Sequence, residues 1–272
     1  MNNLENKTKV INSTVHNGVK FEVIEYSKLN GANNIESAMG LFFAEQSGLK
    51  MKQVRIKLNS GAVKTEAGAL YYYKGIIQSK SNLGGVTGFV KKALSGAVTD
   101  ESTVKPVYWG TGEINLQPSY KHYMMLKLNN ESIIVDKGMF FCCSETIDVK
   151  VVTQKNISST LFGSEGFFQI ELSGSGVVVL ECDVPQDEII ECNISAAEEL
   201  KVDGNFVIAR TKGVNFSVTK SDKSLIKSAI NGEGLLNTFS GYGKVWIAPT
   251  KPMYNTFSQG TLFNNNSMNN QE

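Results

Sequence analysis

The side chains able to support covalent or metal chemistry are few. There are two histidines, His16 and His122, and four cysteines, Cys142, Cys143, Cys182 and Cys192. Metal-dependent oxygenases and isomerases built in β-barrels gather several imidazoles and a carboxylate around one ion. Here the histidines lie 106 positions apart and neither belongs to an H-x-H pair, which argues against that chemistry. Cys142 and Cys143 fall in an apolar, strand-like run, where adjacent side chains point to opposite faces. No basic residue beside them is placed to lower a thiol pKa. The absence of C-x-x-C makes all four cysteines read as buried free thiols of a reducing compartment. No G-x-S-x-G elbow accompanies a serine. The expectation is a protein that is not an enzyme and that takes no cofactor and no metal.

Glycine supplies the other candidate chemistry. "WGTGEINL", "SGSGVVVL" and "SGYGKVWI" carry the pairs Gly110/Gly112, Gly174/Gly176 and Gly241/Gly243. A phosphate cradle requires glycines that lead into a helix N-terminus, where free N–H groups and the dipole meet the anion. These pairs run instead into β-branched or alternating segments, which disfavour a helix, and G-x-x-x-x-G-K-[ST] is absent. They are expected to be turn or bulge glycines.

Their spacing reveals the organisation. The three pairs begin 64 and 67 residues apart. An acidic turn recurs with them in "TEAGALYY", "VDKGMFF" and "VDGNFVIA", placing Glu66, Asp136 and Asp203 at intervals of 70 and 67, each with a nearby glycine, Gly68, Gly138 or Gly204. Pro118, Pro185 and Pro249 close the units at intervals of 67 and 64. One period near 66 under three marks predicts three tandem β-units, residues 52–118, 119–185 and 186–250. Each unit alone buries too little apolar surface to stand, so the three are expected to share a core. The carboxylates then serve as local turn caps. A ring of Glu66, Asp136 and Asp203 holding a cation is the sharper alternative.

Around these units the chain is less regular. Residues 1–51 form an N-terminal extension whose first 19 residues or so are polar and expected to be weakly ordered. Residues 251–272 form an asparagine-rich tail expected to fray. Three stretches have a helical period: "ESAMGLFFAEQSGLK", "VTGFVKKALSGA" and "SDKSLIKSAING". The segment 83–97, "LGGVTGFVKKALSGA", interrupts the first unit alone. Its Val86, Phe89, Val90, Ala93 and Leu94 share one helical face, which makes it the candidate interaction segment. It either caps its own unit or contacts another chain.

The bulk composition narrows the partners. The 272 residues are 41% hydrophobic with a net charge of +1 and a pI near 7.6. Nothing so balanced advertises nucleic acid. With two lysines beside it, the 83–97 face would bind a membrane only marginally. No secretory signal or membrane-length apolar run is evident, so the expected location is the cytoplasm. Trp109 and Trp246 are not at equivalent places in their units, and core packing is the expectation for both over a base-stacking platform.

The order and spacing of "LNSGAVKTEAGALYYYKG", "GGVTGFVKKALSG", "GSEGFFQIELSGSGVVVLE" and "EELKVDGNFVIAR…NGEGLLNTFSGYGKVWIAPT" resemble the bacterial relatives of the altered inheritance of mitochondria twenty-four family, over about residues 50–250. The resemblance implies an all-β fold of three short double-stranded β-helix units about a pseudo-three-fold axis. Each unit is similar to the tryptophan RNA-binding attenuation protein, and one or two short helices accompany the three. It implies no agreed activity and no catalytic residues. Open β-edges must be covered, so the functional expectation is a non-catalytic scaffold or interaction module that forms a homo-oligomer. An RNA- or small-ligand-binding regulator is the alternative.

Overall fold

Alternation of apolar and polar residues produces β-strands almost throughout. The computed structural model describes residues 7–80, 105–136, 138–154, 167–202, 206–220 and 235–258. In chain order the elements begin with β1 Thr8–His16, β2 Val19–Tyr26, α1 Ile35–Gln46, β3 Lys52–Thr65, β4 Leu70–Lys80 and β5 Val107–Leu116. They continue with β6 His122–Asp136, β7 Phe140–Ser144, β8 Ile147–Gln154 and β9 Phe167–Cys182. The last are β10 Ile190–Ile194, β11 Glu199–Val202, β12 Val207–Thr211, β13 Val214–Lys220, β14 Leu235–Gly241, β15 Gly243–Ile247 and α2 Lys251–Ser258.

Contacts divide the chain into two compact units. The first comprises residues 1–130, 138–150 and 173–181. Its centre is β3, which is paired antiparallel with β2 through Glu25↔Lys52 to Val19↔Leu58. On the other side it pairs with β5, with a register shift between Leu58 and Gly61. The end of β3 continues onto β7. Alternate residues Val54, Ile56 and Leu58 join Phe21, Ile114 and Leu116 in the core. Gln53 enters that core because both ends of its amide are satisfied: Nε2 donates to the Leu116 carbonyl at 2.7 Å and Oε1 accepts from Tyr26 Oη at 2.7 Å.

The second unit comprises residues 131–137, 151–172 and 182–272. Here β12 lies between β6 and β15, and β10 pairs with β15. A separate ladder runs β11–β14–β13. Val214, Phe239 and Val245 anchor its core.

Two expectations change. The polar N-terminus supplies β1, which pairs with β2 around the Asn17-Gly18 turn. Asn17 at φ 45° and Gly18 at φ 74° give that hairpin the left-handed geometry a two-residue turn requires. The tail begins as the helix α2, and Tyr254 within it donates to Glu188 Oε1 at 2.8 Å. The helical reading of residues 36–50 is met by α1, which spans Ile35–Gln46. Asn34 Oδ1 accepts from the Ser37 N–H at 2.8 Å while Ser37 Oγ accepts from the Asn34 N–H, a capping box. Gly48 at φ 71° turns the chain out of the helix. The helical readings of 83–97 and 221–232 lie outside the described residues, as does the acidic turn of Asp203 and Gly204.

Candidate functional site

The Gly-x-Gly pairs prove to be a device for close strand packing. All six residues have positive φ, at 132° and 156° for Gly110 and Gly112, 129° and 158° for Gly174 and Gly176, and 110° and 146° for Gly241 and Gly243. A Cβ on Gly110 would be driven into the Ile76 carbonyl, and one on Gly174 would stand 2.6 Å from the Thr146 carbonyl. Gly110 and Gly112 lie inside β5, Gly174 and Gly176 inside β9, and Gly241 and Gly243 flank the β14–β15 step. None leads into a helix.

The acidic turns diverge in role. Glu66 caps its turn, with Oε1 accepting from the Ala67 N–H at 2.9 Å, and its other oxygen pairs with the buried Lys105 Nζ. That ammonium also lies 5.0 Å from the Phe140 ring centre, a cation–π contact. Gly68 and Gly138, at φ 80° and 83°, share the turn conformation. Asp136 instead accepts from Gln169 Nε2 at 3.1 Å, and Gln169 Oε1 accepts from Arg210 Nη2 at 3.4 Å. Burial pushes the Asp136 carboxyl up, against the pull of Gln169, Lys251 and Arg210. Burial pulls the Arg210 guanidinium down to about 10, with Asp136 opposing. A neutral amide thus bridges two enclosed charges. Among the described residues no group of three or more metal-ligating side chains is assembled.

The thiols are insulated. Cys142, Cys143 and Cys182 are buried and free, whereas Cys192 is half-buried, short of the full burial expected. Burial pushes the Cys143 thiol up to about 12 and raises Cys142 as well. His122 opens β6 and His16 ends β1, each half-buried. Trp246 is core, its Nε1 donating to Glu191 Oε2 at 3.1 Å. Trp109 is not core, contrary to expectation. It is exposed on β5 beside a cleft of about 500 Å³ lined also by Asn17, Ser60, Glu145 and Thr146.

What the first unit does offer is uncovered apolar surface. Helix α1 buries none of its residues. Its half-buried side carries Ser37, Leu41 and Ala44, at positions i, i+4 and i+7, and meets a groove with Leu29, Leu49 and Tyr120. The opposite side carries Ile35, Met39, Phe42 and Phe43, which are 74%, 54%, 57% and 61% exposed. A helix on a protein surface ordinarily turns its large apolar side chains inward; α1 turns Leu41 inward between two small residues and leaves Ile35, Met39, Phe42 and Phe43 outside. The Phe42 and Phe43 rings lie edge to face, 5.5 Å apart. On β4, Tyr71, Tyr72, Tyr73 and Ile76 are exposed. Successive residues point to opposite faces, so this strand is open on both. Among the described strands β4 pairs with β5 alone.

The family model for Mitochondrial biogenesis AIM24 matches residues 44–250. The chain belongs to the AIM24 family. The match opens within the last turn of α1, so most of that helix precedes the part shared with the AIM24 model. An uncharacterized protein of Streptococcus pyogenes serotype M6 is 22% identical over 214 residues, covering 75% of this chain and 84% of the relative. The X-ray crystal structure of a protein from Streptococcus pyogenes is similar with a TM-score of 0.54 at 18% identity, covering 78% of this chain and 94% of that one. These likenesses extend the β-rich fold of this AIM24 member to solved coordinates. Among the described residues no helix is long and apolar enough to cross a membrane.

Proposed function

We propose that this AIM24 member is a non-catalytic β-scaffold that associates with itself through its first unit. One observation carries the reading: α1 and β4 leave Ile35, Met39, Phe42, Phe43, Tyr71 and Ile76 more than half exposed. Exposed apolar surface of this kind marks a docking face, and among the described strands β4 pairs with β5 alone, which leaves an edge to be covered. In this reading the buried Cys142, Cys143 and Cys182 are packing groups. Free cysteines fit a reducing cytoplasm. The recurrence of one backbone conformation at all three Gly-x-Gly pairs supports three repeated β-units about a pseudo-three-fold axis. Size-exclusion chromatography with light scattering over a concentration series tests the scaffold. A mass rising above 29.7 kDa is expected, and a constant 29.7 kDa would refute it.

A second reading, binding of a small ligand, has its own observation in the cleft beside Trp109. Among the described residues no Lys or Arg lines it, which favours a neutral or cationic small molecule over RNA. Ligand entry would quench Trp109 fluorescence, and a Trp109→Phe variant would lose that signal.

A further inference from the structure

We infer that the cleft beside Trp109 is a site for an organic ammonium ion, held between the indole of Trp109 and the carboxylate of Glu145. The inference rests on the small-ligand reading given above and names the class of ligand.

Strand register builds the cleft. In the β3–β5 ladder Ala62 lies opposite Trp109 and Gly61 lies opposite Gly110. Small residues therefore surround one large ring, and all four line the cleft. The glycines cannot be filled in. A Cβ on Gly61 would stand 2.5 Å from Val19 Cγ2, and one on Gly110 would be driven into the Ile76 carbonyl. Two turns complete the lining. His16 and Asn17 come from the β1–β2 hairpin, and Glu145 and Thr146 from the step between β7 and β8.

The rim is held without help from an occupant. Thr146 Oγ1 donates to the Ser175 carbonyl at 2.6 Å, and Ser144 Oγ accepts from the Val177 N–H at 2.9 Å. The Ser60 N–H donates to Thr111 Oγ1 at 3.1 Å. At about 500 Å³ the space is of small-molecule size, and a wall fixed in advance lowers the ordering cost of binding.

Ring and charge together choose the ligand. Trp109 is 36% exposed in the middle of a strand, although tryptophan is mostly buried. An open indole can stack on a base, an apolar ring or a cation, and Glu145 decides among them. It is exposed, and it is the one carboxylate among the described lining residues, which include no Lys or Arg. Lys64, on the same stretch of β3, is engaged elsewhere, its Nζ donating to the Ile147 carbonyl at 2.6 Å. An uncompensated carboxylate repels phosphates and other anions, while the face of an indole is the best aromatic partner for a cation. Asn17 and Ser60 add side-chain oxygens that can accept from an ammonium N–H. His16 adds an imidazole whose Nε2 is enclosed with no hydrogen-bond partner. Such atoms are rare in folded proteins, and a hydrogen-bonding occupant is one way to satisfy it.

The test is a titration of the full chain with two probes, choline and dimethylbutanol, its uncharged isostere with carbon in place of nitrogen. Binding is read by tryptophan fluorescence and by calorimetry. Choline should quench saturably, and dimethylbutanol should bind about tenfold more weakly or worse. Trp109→Phe should remove the fluorescence response. Glu145→Gln, with unchanged circular dichroism, should weaken choline by about tenfold and bring the two probes level. Equal binding of choline and dimethylbutanol to the unmodified chain would overturn the ammonium assignment while the small-ligand reading survives. Unchanged choline affinity in Glu145→Gln would do the same. If neither probe in large excess gives heat or a Trp109 response, the inference and the small-ligand reading fall together.

Discussion

Glu22 and Arg55 face each other in the β2–β3 ladder, and Arg55 Nε donates to Glu22 Oε2 at 2.7 Å. Lys20 approaches the same carboxylate at 2.7 Å and Lys57 at 3.5 Å. Glu22 is 1% exposed, so a nearly dry anion is held by three cations. Burial alone would raise its pKa, but Lys20, Arg55 and Lys57 together bring it below the ordinary glutamate value.

The sign follows from that depression. The stability Glu22 contributes is fully present above the unfolded glutamate pKa of about 4.3 and is lost as pH falls through the lower folded value. Glu22→Gln should cost about 3 kcal/mol at pH 7, because it leaves Arg55 only the longer contact to Glu113 at 4.0 Å. Urea unfolding of both proteins should show the gap closing as the pH falls below 4. A gap independent of pH would refute this.

Asp136 has the opposite sign. Its folded pKa is raised, so its ionised form opposes folding. The stability is present below the unfolded aspartate pKa and is lost as pH rises through the folded value. Asp136→Asn should therefore raise the thermal midpoint at pH 8 and change it little at pH 4. A lower midpoint at pH 8 would mean that the Gln169–Arg210 relay needs the charge.

The glycine pairs predict a contrast. Gly174→Ala must fit a Cβ 2.6 Å from the Thr146 carbonyl at a φ of 129°, whereas Gly31→Ala meets nothing within 4 Å. The first should lose several kcal/mol, on the order of other strained core changes, and the second about none. Equal midpoints in thermal melts would show that the close approach does not hold.

Thiol accessibility separates the four cysteines. With Cys142, Cys143 and Cys182 buried and Cys192 half-buried, native protein should titrate one fast thiol with Ellman's reagent and four after unfolding. Fast reaction of Cys142 or Cys143 would contradict the insulated pair.

How much of this was legible in the sequence depends on what each residue's role rests upon. The Gly-x-Gly pairs were legible because a recurring backbone constraint leaves a recurring residue. Strand β3 was legible through its alternation. Strand β1 was not, since "TKVINSTVH" mixes polar and apolar residues on both faces and owes its order to pairing with β2. The buried charges Glu22 and Lys105 were equally hidden, because their partners are distant in the chain or on another strand. Helix α1 could be read from its period, but not the exposure of its large side chains. An apolar stripe looks the same whether it faces a core or water, and only the packing of Ser37, Leu41 and Ala44 against the body reveals which side is left over.

The most direct test of the central claim is amide hydrogen–deuterium exchange across α1, in dilute and in concentrated protein. The account predicts that residues 35–46 gain protection as concentration rises, while the buried β2 and β3 amides stay constant. Exchange in α1 that is identical at both concentrations would mean that no second copy covers Ile35, Met39 and Phe42, and the scaffold would have to assemble elsewhere or not at all.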